Sequence, residues 1–323
     1  MGSHILFAYA LDRKGGGRVL EYDSIPDEVR GETLTWVHLD GSHPDTRSWL
    51  RKEVSYLGDF IIRALLADET RPRMTQVDDG VLLILRGVNL NENADPEDMV
   101  SIRLWVNKNC IITIQRRRLK AVGDIIERMN GGKGPKDAGN FICMLALRLF
   151  ERMEPVLTDL NEAMDDIEEE VLAEADIKLR KSIVDVRKKA IMFRRYMAPQ
   201  RDAIGQLRMC EAAWLNEQHR HLLQESYNHV THYLEDLDTT RERAQVVKDE
   251  LASVLADKLN RDMYILSIVA AIFLPLGFLT GLLGINVGGI PGSDNEQAFW
   301  IFCAGLSVLV FIQAYFFRKM KWL

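Results

Sequence analysis

The feature that most constrains this chain is a pair of long apolar runs near its C-terminus. The first extends from Met263 to Leu283 and the second from Phe299 to Phe317, and neither contains a charged residue. Each run is about 20 residues long, which is the length that a helix needs to cross about 30 Å of hydrocarbon. A buried helix of a soluble protein rarely runs so far without a polar face. The sequence therefore predicts a membrane protein with two C-terminal transmembrane helices.

The charges that flank the two runs predict how the chain is oriented. Lys258 and Arg261 precede the first run, and Arg318 and Lys319 follow the second. The connecting segment, residues 284–297, contains no Lys or Arg. Because cytosolic flanks carry an excess of Lys and Arg, we expect a multi-pass protein of the cytoplasmic (inner) membrane with both termini in the cytosol.

The rest of the chain predicts two further regions. Residues 1–135 read as a cytosolic α/β domain, residues 136–262 as a cytosolic helical hairpin followed by a stalk helix, and residues 263–323 as the transmembrane hairpin. The expected fold class is thus an α+β membrane protein. Within the α/β domain, short segments rich in branched residues predict strands at Ile5–Leu11, Leu34–Leu39, Val81–Asn89, Ser101–Val106 and Cys110–Gln115.

The stalk is predicted as one very long helix. No Pro or Gly occurs between Trp214 and Pro275, and the apolar residues keep a helical spacing as far as Leu283. Just before it, residues 151–176 are strongly acidic and residues 178–201 are strongly basic. These two segments predict an antiparallel hairpin with complementary faces. An alternative is an acidic collar that attracts divalent cations.

One face of the first apolar run differs from the others because its residues are small or weakly polar. Two helices cannot enclose a pore, so conduction would require several copies around an axis. The face then has two interpretations, a small-residue contact between helices or the wall of a pore. Its members are Asn260, Met263, Ser267, Ala270, Leu274, Gly277, Gly281, Gly284 and Asn286; we call them the α8 stripe, where α8 is the helix predicted from Trp214 to Leu283.

A second group of side chains lies at helical spacing on the stalk. Imidazole and carboxylate groups at intervals of three or four residues can hold zinc, but a solvated polar face gives the same pattern. Both interpretations stay open at this point. The members of this histidine stripe are His221, Glu225, His229, His232 and Asp236.

Several classes of function lack support in the sequence. The net charge of −6 argues against a nucleic-acid-binding protein. Neither a phosphate-binding Gly-Lys-Ser/Thr loop nor a catalytic motif is present. We therefore expect neither an enzyme nor a cofactor.

The segment that follows the first apolar run carries a resemblance to a known family. Residues 284–292 read Gly-Ile-Asn-Val-Gly-Gly-Ile-Pro-Gly, which resembles the Gly-Met-Asn loop of the CorA superfamily of divalent-cation transporters. The isoleucine and the glycine-rich continuation are similar to the ZntB zinc-transporter branch. Further similar stretches are Glu69–Arg73, Arg194–Asp202, Phe273–Pro275, Phe278–Gly281 and Lys321–Leu323.

The resemblance implies a funnel-shaped homopentamer whose pore is lined by the first transmembrane helix. It makes the α8 stripe a pore wall, with the selectivity loop formed by Gly284, Ile285 and Asn286. It implies zinc transport with possible coupling to protons. A magnesium, cobalt or nickel channel of the same build, zinc efflux and a membrane-tethered metal sensor that conducts nothing are the alternatives. Ile285 stands where the superfamily has methionine, which leaves the ion preference open.

The residues of the predicted outer mouth suggest how the ion would pass. Five Asn286 side chains could accept hydrogen bonds from the water shell of a divalent ion. Asp294 and Glu296 would add a negative ring that concentrates cations. The α8 stripe contains no His, Cys, Asp or Glu, which are the ligands that bare zinc prefers. We therefore expect the ion to pass at least partly hydrated.

Overall fold

The N-terminal part of the chain folds around one seven-stranded sheet with the order β2-β1-β3-β7-β6-β5-β4. The computed structural model describes residues 4–284 and 295–319. The central strands β3 and β7 run parallel to each other, and the other neighbouring strands pair antiparallel. The strands are β1 (Ile5–Leu11), β2 (Gly17–Val19), β3 (Thr35–Asp40), β4 (Arg73–Val77), β5 (Gly80–Gly87), β6 (Val100–Val106) and β7 (Cys110–Gln115).

The two strands that the sequence pattern does not predict are the two edges of this sheet. β2 has only three residues, all exposed, and β4 is exposed or half-buried throughout. Edge strands are commonly short and polar, so they lack the apolar run by which an inner strand is recognised. β1 and β7 have the predicted bounds.

Helices cover both faces of the sheet and then continue to the C-terminus. The predicted long helix begins at Glu217 rather than at Trp214. Trp214 lies before the helix, and its indole nitrogen donates a hydrogen bond to the carbonyl of Asp79. The helices are α1 (Ile25–Arg30), α2 (Asp45–Glu53), α3 (Asp59–Leu66), α4 (Lys120–Asn130), α5 (Ala138–Glu151), α6 (Glu154–Ala173), α7 (Leu179–Met209), α8 (Glu217–Leu283) and α9 (Ala298–Lys319).

The sheet is buried on both faces because its strands alternate side chains between two apolar layers. On one face, Val37 and Leu39 of β3 belong to the core that contains Leu50 of α2. On the other face, Trp36 of β3 meets Phe141 of α5 with ring centroids 4.9 Å apart. The alternation of side chains along one strand thus joins both helical layers to the same sheet.

A side chain of helix α7 makes the two backbone hydrogen bonds with β5 that a neighbouring strand would make. The backbone N–H of Arg86 donates to Oε1 of Gln200 at 2.6 Å. Nε2 of Gln200 donates to the carbonyl of Arg86 at 3.0 Å. Gln200 is fully buried, so this pair satisfies polar groups at the end of β5 that water cannot reach.

The acidic helix α6 and the basic helix α7 pack against each other, as the hairpin prediction requires. Both also direct ion pairs to α8. Arg243 of α8 pairs with Asp165 and Glu168 of α6, each at 2.5 Å, and Arg194 of α7 pairs with Asp238 of α8 at 2.6 Å. The opposite charges of the hairpin therefore also serve to hold the third helix.

The chain divides into two compact units. One comprises Met1–Glu174 and Lys178–Lys248, and the other comprises Ala175–Ile177 and Asp249–Leu323. The second contains the apolar part of α8 and the whole of α9, both long and apolar enough to cross a membrane. The α/β region, the long helix and the two apolar C-terminal helices are thus those that the sequence predicts.

Candidate functional site

The α8 stripe remains uncovered by its own chain. Every member from Asn260 to Gly281 lies in α8, and all of them are exposed. Met263 is 59% exposed and Leu274 is 72% exposed. A Cβ added to Gly277 or Gly281 would meet no atom within 4 Å. Intrachain packing therefore does not explain why these positions are small.

The packed face of α8 lies nearly opposite the stripe. At about 100° per residue, the centres of the two faces are about 150° apart around the helix. A matching set of half-buried positions recurs on α9 at intervals of three or four residues. The half-buried residues are Ile268, Ala271, Ile272, Pro275, Leu276 and Leu279 on the apolar part of α8, and Ala298, Phe302, Cys303, Leu306, Leu309, Gln313 and Phe317 on α9.

A hydrogen bond joins these two packed faces at the proline of α8. Pro275 has no N–H, so the carbonyl of Ala271, four residues earlier, lacks its helical donor. Nε2 of Gln313 on α9 donates to that carbonyl at 3.4 Å. In hydrocarbon such a carbonyl has no water to bind, so a neighbouring helix must supply the donor. The contact identifies which side of α8 faces α9.

Hydroxyl groups near the stripe are satisfied by the helix itself. Ser267 donates to the carbonyl of Met263 at 2.8 Å, and Thr280 donates to the carbonyl of Leu276 at 2.9 Å. A Cβ on Gly284 would approach the carbonyl oxygen of Thr280 to 2.8 Å. Glycine at position 284 therefore suits the end of the helix, where the backbone passes close to the preceding turn.

Most of the predicted outer mouth lies outside the described residues. Ile285, Asn286 and Asp294 fall in that part of the chain, and their roles stay predictions. Glu296 is described, and it is exposed in the turn before α9. A carboxylate is thus placed beside the start of the second apolar helix.

The histidine stripe forms one close pair rather than a cluster. Nδ1 of His232 lies 2.9 Å from Oδ2 of Asp236. A hydrogen bond to its backbone, and next the carboxylate of Asp236, raise the pKa of His232. His221, Glu225 and His229 are exposed. Consecutive members stand about 6 Å apart on a helix surface, so neighbours meet only in pairs. The zinc-binding interpretation of this stripe stays a prediction.

A different set of three potential metal ligands comes together in the N-terminal domain. One ligand atom each from His4, His43 and Asp45 lies within 4.8 Å of the other two. This is the one such set found among residues 4–284 and 295–319. Sequence reasoning missed it because His4 lies far along the chain from the other two, and only strand pairing joins them. We call these residues the N-terminal triad.

A polar cavity of about 570 Å³ lies where two of the family-like stretches meet. It is lined by four arginines, Arg71, Arg86, Arg117 and Arg195, together with three carboxylates and Tyr196. The guanidinium of Arg86 lies 4.1 Å from the ring centre of Tyr196. The two stretches predicted to be family-like, Glu69–Arg73 and Arg194–Asp202, thus meet in space.

The arginines of this cavity are held by contacts within the domain. Burial lowers the pKa of Arg86, whose Nη2 donates to the carbonyl of Thr70 at 2.8 Å. Nη1 of Arg117 donates to Oδ2 of Asp98 at 2.5 Å. This contact lowers the pKa of Asp98 and raises that of Arg117. Arg86, Arg117 and Asp98 are therefore held by contacts within the domain.

Comparison with known proteins covers nearly the whole chain. A family model described as CorA-like Mg2+ transporter protein matches residues 31–319. The zinc transport protein ZntB of Yersinia enterocolitica is 35% identical over 321 residues, which make up 99% of this chain and 97% of that protein. The divalent cation transporter CmaX of Pseudomonas aeruginosa is 37% identical over 325 residues, or 99% of this chain and 97% of that protein.

Solved structures agree with these relatives. The full-length CmaX protein superposes with a TM-score of 0.86 at 36% identity, covering 99% of this chain and 98% of that one. The complete CorA magnesium transporter of Methanocaldococcus jannaschii gives a TM-score of 0.81 at 21% identity, with 98% of each chain covered, which supports the fold. By sequence and by fold, this chain belongs to the CorA-like Mg2+ transporter family.

Proposed function

We propose that this chain is a zinc transporter of the cytoplasmic membrane that works as a homopentamer. The first apolar helix of each copy, α8, lines the pore, and the ion passes at least partly hydrated. The observation that carries the proposal is the α8 stripe, a weakly polar face that its own chain leaves uncovered. The stripe lies nearly opposite the face that packs on α9.

The chemistry of the stripe supports passage of a hydrated ion. Its described members offer an amide, a hydroxyl, a thioether and glycine backbone, without a carboxylate, thiolate or imidazole. Bare zinc prefers those absent ligands. A divalent ion that keeps its water shell needs only hydrogen-bond acceptors, which Asn286 at the predicted mouth would supply.

The choice of zinc rests on relatives with that function in their names. ZntB of Yersinia enterocolitica is a zinc transport protein, whereas CmaX is named for divalent cations in general. The second candidate is a magnesium, cobalt or nickel channel of the same build. The description of the family model, which names Mg2+, favours it.

Coupling to protons would need a titratable group along the route. The described members of the α8 stripe have none, so the proton would have to be carried at the mouth or on the cytosolic side. We propose uptake by zinc/proton symport as the working direction, with efflux as the opposite result of the same measurement.

The proposal is tested by flux into liposomes that contain the purified full-length chain. We expect zinc entry to depend on the protein and to rise when the outside is made more acidic than the inside. Competition by Mg2+, Co2+ and Ni2+ in the same assay measures ion preference. Absence of protein-dependent flux for all four ions, in vesicles that contain assembled pentamers, would favour the non-conducting sensor and contradict the proposal.

The predicted selectivity ring gives the sharpest variant. Asn286→Ala removes the amide acceptors from every copy, each hydrogen bond being worth about 0.5–1.5 kcal/mol. Loss of two or more predicts at least a roughly tenfold fall in zinc flux. The matched control is Asn295→Ala, an exposed asparagine in the turn before α9, which should transport at nearly the original rate. Unchanged flux of the Asn286 variant in an assembled pentamer would rule out the ring as the filter.

A further inference from the structure

We propose that His4, His43 and Asp45, the N-terminal triad, form a zinc-binding site in the α/β domain. The site shares no residue with the α8 stripe or with the histidine stripe. It does not depend on whether the chain transports zinc, because it is defined by its own ligands. Two imidazoles and a carboxylate are a ligand set that zinc accepts, with a fourth position left for water.

The fold brings the three residues together at one end of the sheet. His4 immediately precedes β1, and its carbonyl accepts a hydrogen bond from the backbone N–H of Asp40 at 2.9 Å. Asp40 ends β3, which pairs antiparallel with β1. The chain then turns through His43 into α2, which starts at Asp45. Strand pairing therefore places the start of one strand beside the turn that follows its neighbour.

His4 supplies the observation that points to a ligand. Its side chain is buried, yet Nε2 has no hydrogen-bond partner among the described residues. A buried polar nitrogen without a partner costs about 1–3 kcal/mol, so native structures rarely retain one without a reason. Coordination of a metal ion would satisfy this nitrogen, and His43 and Asp45 each bring a potential ligand atom within 4.8 Å of a ring nitrogen of His4.

The turn between β3 and α2 holds the other two ligands close to each other. The backbone N–H of Asp45 donates to Nδ1 of His43 at 3.2 Å, and Oδ2 of Asp45 lies 3.8 Å from the same nitrogen. The turn is stabilised by the hydroxyl of Thr46, which donates to the carbonyl of Asp40 at 2.5 Å. His43 and Asp45 therefore lie on a braced segment rather than on a long free loop.

The distances require only a small adjustment to reach zinc geometry. Ligands at about 2.0–2.1 Å from zinc in a tetrahedron stand about 3.3 Å from one another. The three atoms already lie within 4.8 Å of one another. The side chain of Asp45 is 68% exposed, so its carboxylate can rotate toward a bound ion without disturbing the core.

The surroundings favour a transition-metal ion over a hard cation. The rings of Tyr22 and Trp49 lie 6.0 and 6.3 Å from that of His4. Imidazole nitrogens suit zinc, copper, nickel and iron, whereas Mg2+ and Ca2+ prefer sites made of oxygen. A site with two imidazoles and one carboxylate is thus expected to bind Zn2+ and Co2+ and to ignore Mg2+.

The test is a metal titration of the full-length chain in detergent micelles. Zn2+ affinity is measured by competition with a chromogenic chelator, and Co2+ reports on coordination through its visible absorption. The wild-type chain should bind Zn2+ and show bands of Co2+ that Zn2+ displaces and Mg2+ does not. His43→Ala and Asp45→Asn should each weaken this binding at least tenfold and remove those bands.

Two controls separate the triad from other ligands. Asp27→Asn replaces an exposed carboxylate in the first turn of α1, as Asp45 is in the first turn of α2, and should bind like the wild type. The double variant His229→Ala with His232→Ala, in the histidine stripe, tests whether the Co2+ bands come from that stripe instead of the triad. Thermal melting checks that each variant is folded. If His43→Ala has a lowered melting temperature, the metal-binding result for Asp45→Asn, whose side chain is exposed, decides whether the triad binds the metal.

Two results would overturn the proposal. One is wild-type zinc affinity and unchanged Co2+ bands in Asp45→Asn. The other is loss of the bands in the histidine-stripe double variant while both triad variants keep them, which would place the metal on α8 instead.

Discussion

The N-terminal unit and the membrane unit bury their apolar side chains in opposite ways. In the first, Phe141 of α5 is fully buried against Trp36 of the sheet. In the second, Phe278 of α8 is 66% exposed on the single chain. A phenylalanine ring is thus buried within the chain in one unit and exposed on the single chain in the other. The described residues of the first unit build a core within one polypeptide, whereas large apolar side chains of the second stay exposed on it.

Polar groups follow the same division. In the N-terminal unit they often bind partners distant in sequence, as Arg86 does with Thr70 and Gln200. In the membrane unit the hydroxyls of Ser267 and Ser307 each donate to a carbonyl four residues earlier in their own helix. Hydrocarbon offers no hydrogen-bond partners, so a hydroxyl in a membrane helix is best satisfied by a carbonyl of its own helix, which always lies within reach.

A matched pair of truncations measures this difference directly. Phe141→Ala leaves a cavity between α5 and the sheet, and we expect it to lower the free energy of unfolding of the N-terminal unit by about 3–5 kcal/mol. We expect the exposed ring of Phe278 to face lipid, so Phe278→Ala should change this free energy by no more than about 0.5 kcal/mol. Urea unfolding of the full-length chain in detergent, followed by tryptophan fluorescence, measures both.

A large effect of Phe278→Ala, with dissociation of the assembly, would contradict the expectation that this ring faces lipid. It would show that this ring packs against another copy rather than lipid. The membrane unit would then also have a core, shared between chains.

The second prediction concerns pH and belongs to the N-terminal unit alone. Burial lowers the pKa of His38 to about 4 from its ordinary 6.5. Between these values the unfolded chain binds a proton that the folded chain does not, so stability is retained above about pH 6.5 and falls as the pH drops toward 4. The loss over this window should be about 3 kcal/mol.

Melting temperature against pH checks this prediction. The variant His38→Gln should have a shallower slope between pH 6.5 and 4, whatever its absolute stability. His221→Gln, at an exposed histidine, should keep the wild-type slope. An equal slope in both variants would show that His38 does not control the acid sensitivity of this unit.

The smallest predicted effect concerns the hydrogen bond between the two membrane helices. Gln313→Leu leaves the carbonyl of Ala271 without a donor, which should cost about 0.5–1.5 kcal/mol. In a Pro275→Ala background the helix supplies its own N–H, so the same substitution should cost clearly less. Thermal inactivation of the detergent-solubilised assembly gives both numbers as a double-mutant cycle. Equal costs in the two backgrounds would show that Gln313 does not serve this carbonyl.

Much of the fold could be predicted because its signals are periodic and local. The buried strands β1 and β7 and the long helix α8 are each marked by apolar residues at strand or helix spacing. The edge strands β2 and β4 lack such a pattern because one or both of their faces meet solvent. Their position depends on pairing with β1 and β5, which spacing along the chain does not reveal.

The candidate sites divide in the same way. The α8 stripe could be predicted because its members from Asn260 to Gly281 lie on one helix, where sequence spacing gives the face. The N-terminal triad could not, since His4 meets His43 only through pairing of β1 with β3. The histidine stripe shows that a shared helix face does not by itself make a site. The face brings His232 to Asp236 but does not gather all five residues.

The hydrogen bond from Gln313 to Ala271 also limits sliding of α9 along α8. Two apolar helices in lipid can shift along their axes with little change in contact, because one aliphatic surface resembles another. A single polar contact ends that freedom, since moving α9 by one helical turn of about 5.4 Å would carry the amide past the only carbonyl that Pro275 leaves open. The proline and the amide that serves its open carbonyl thereby give the helix pair a preferred axial register.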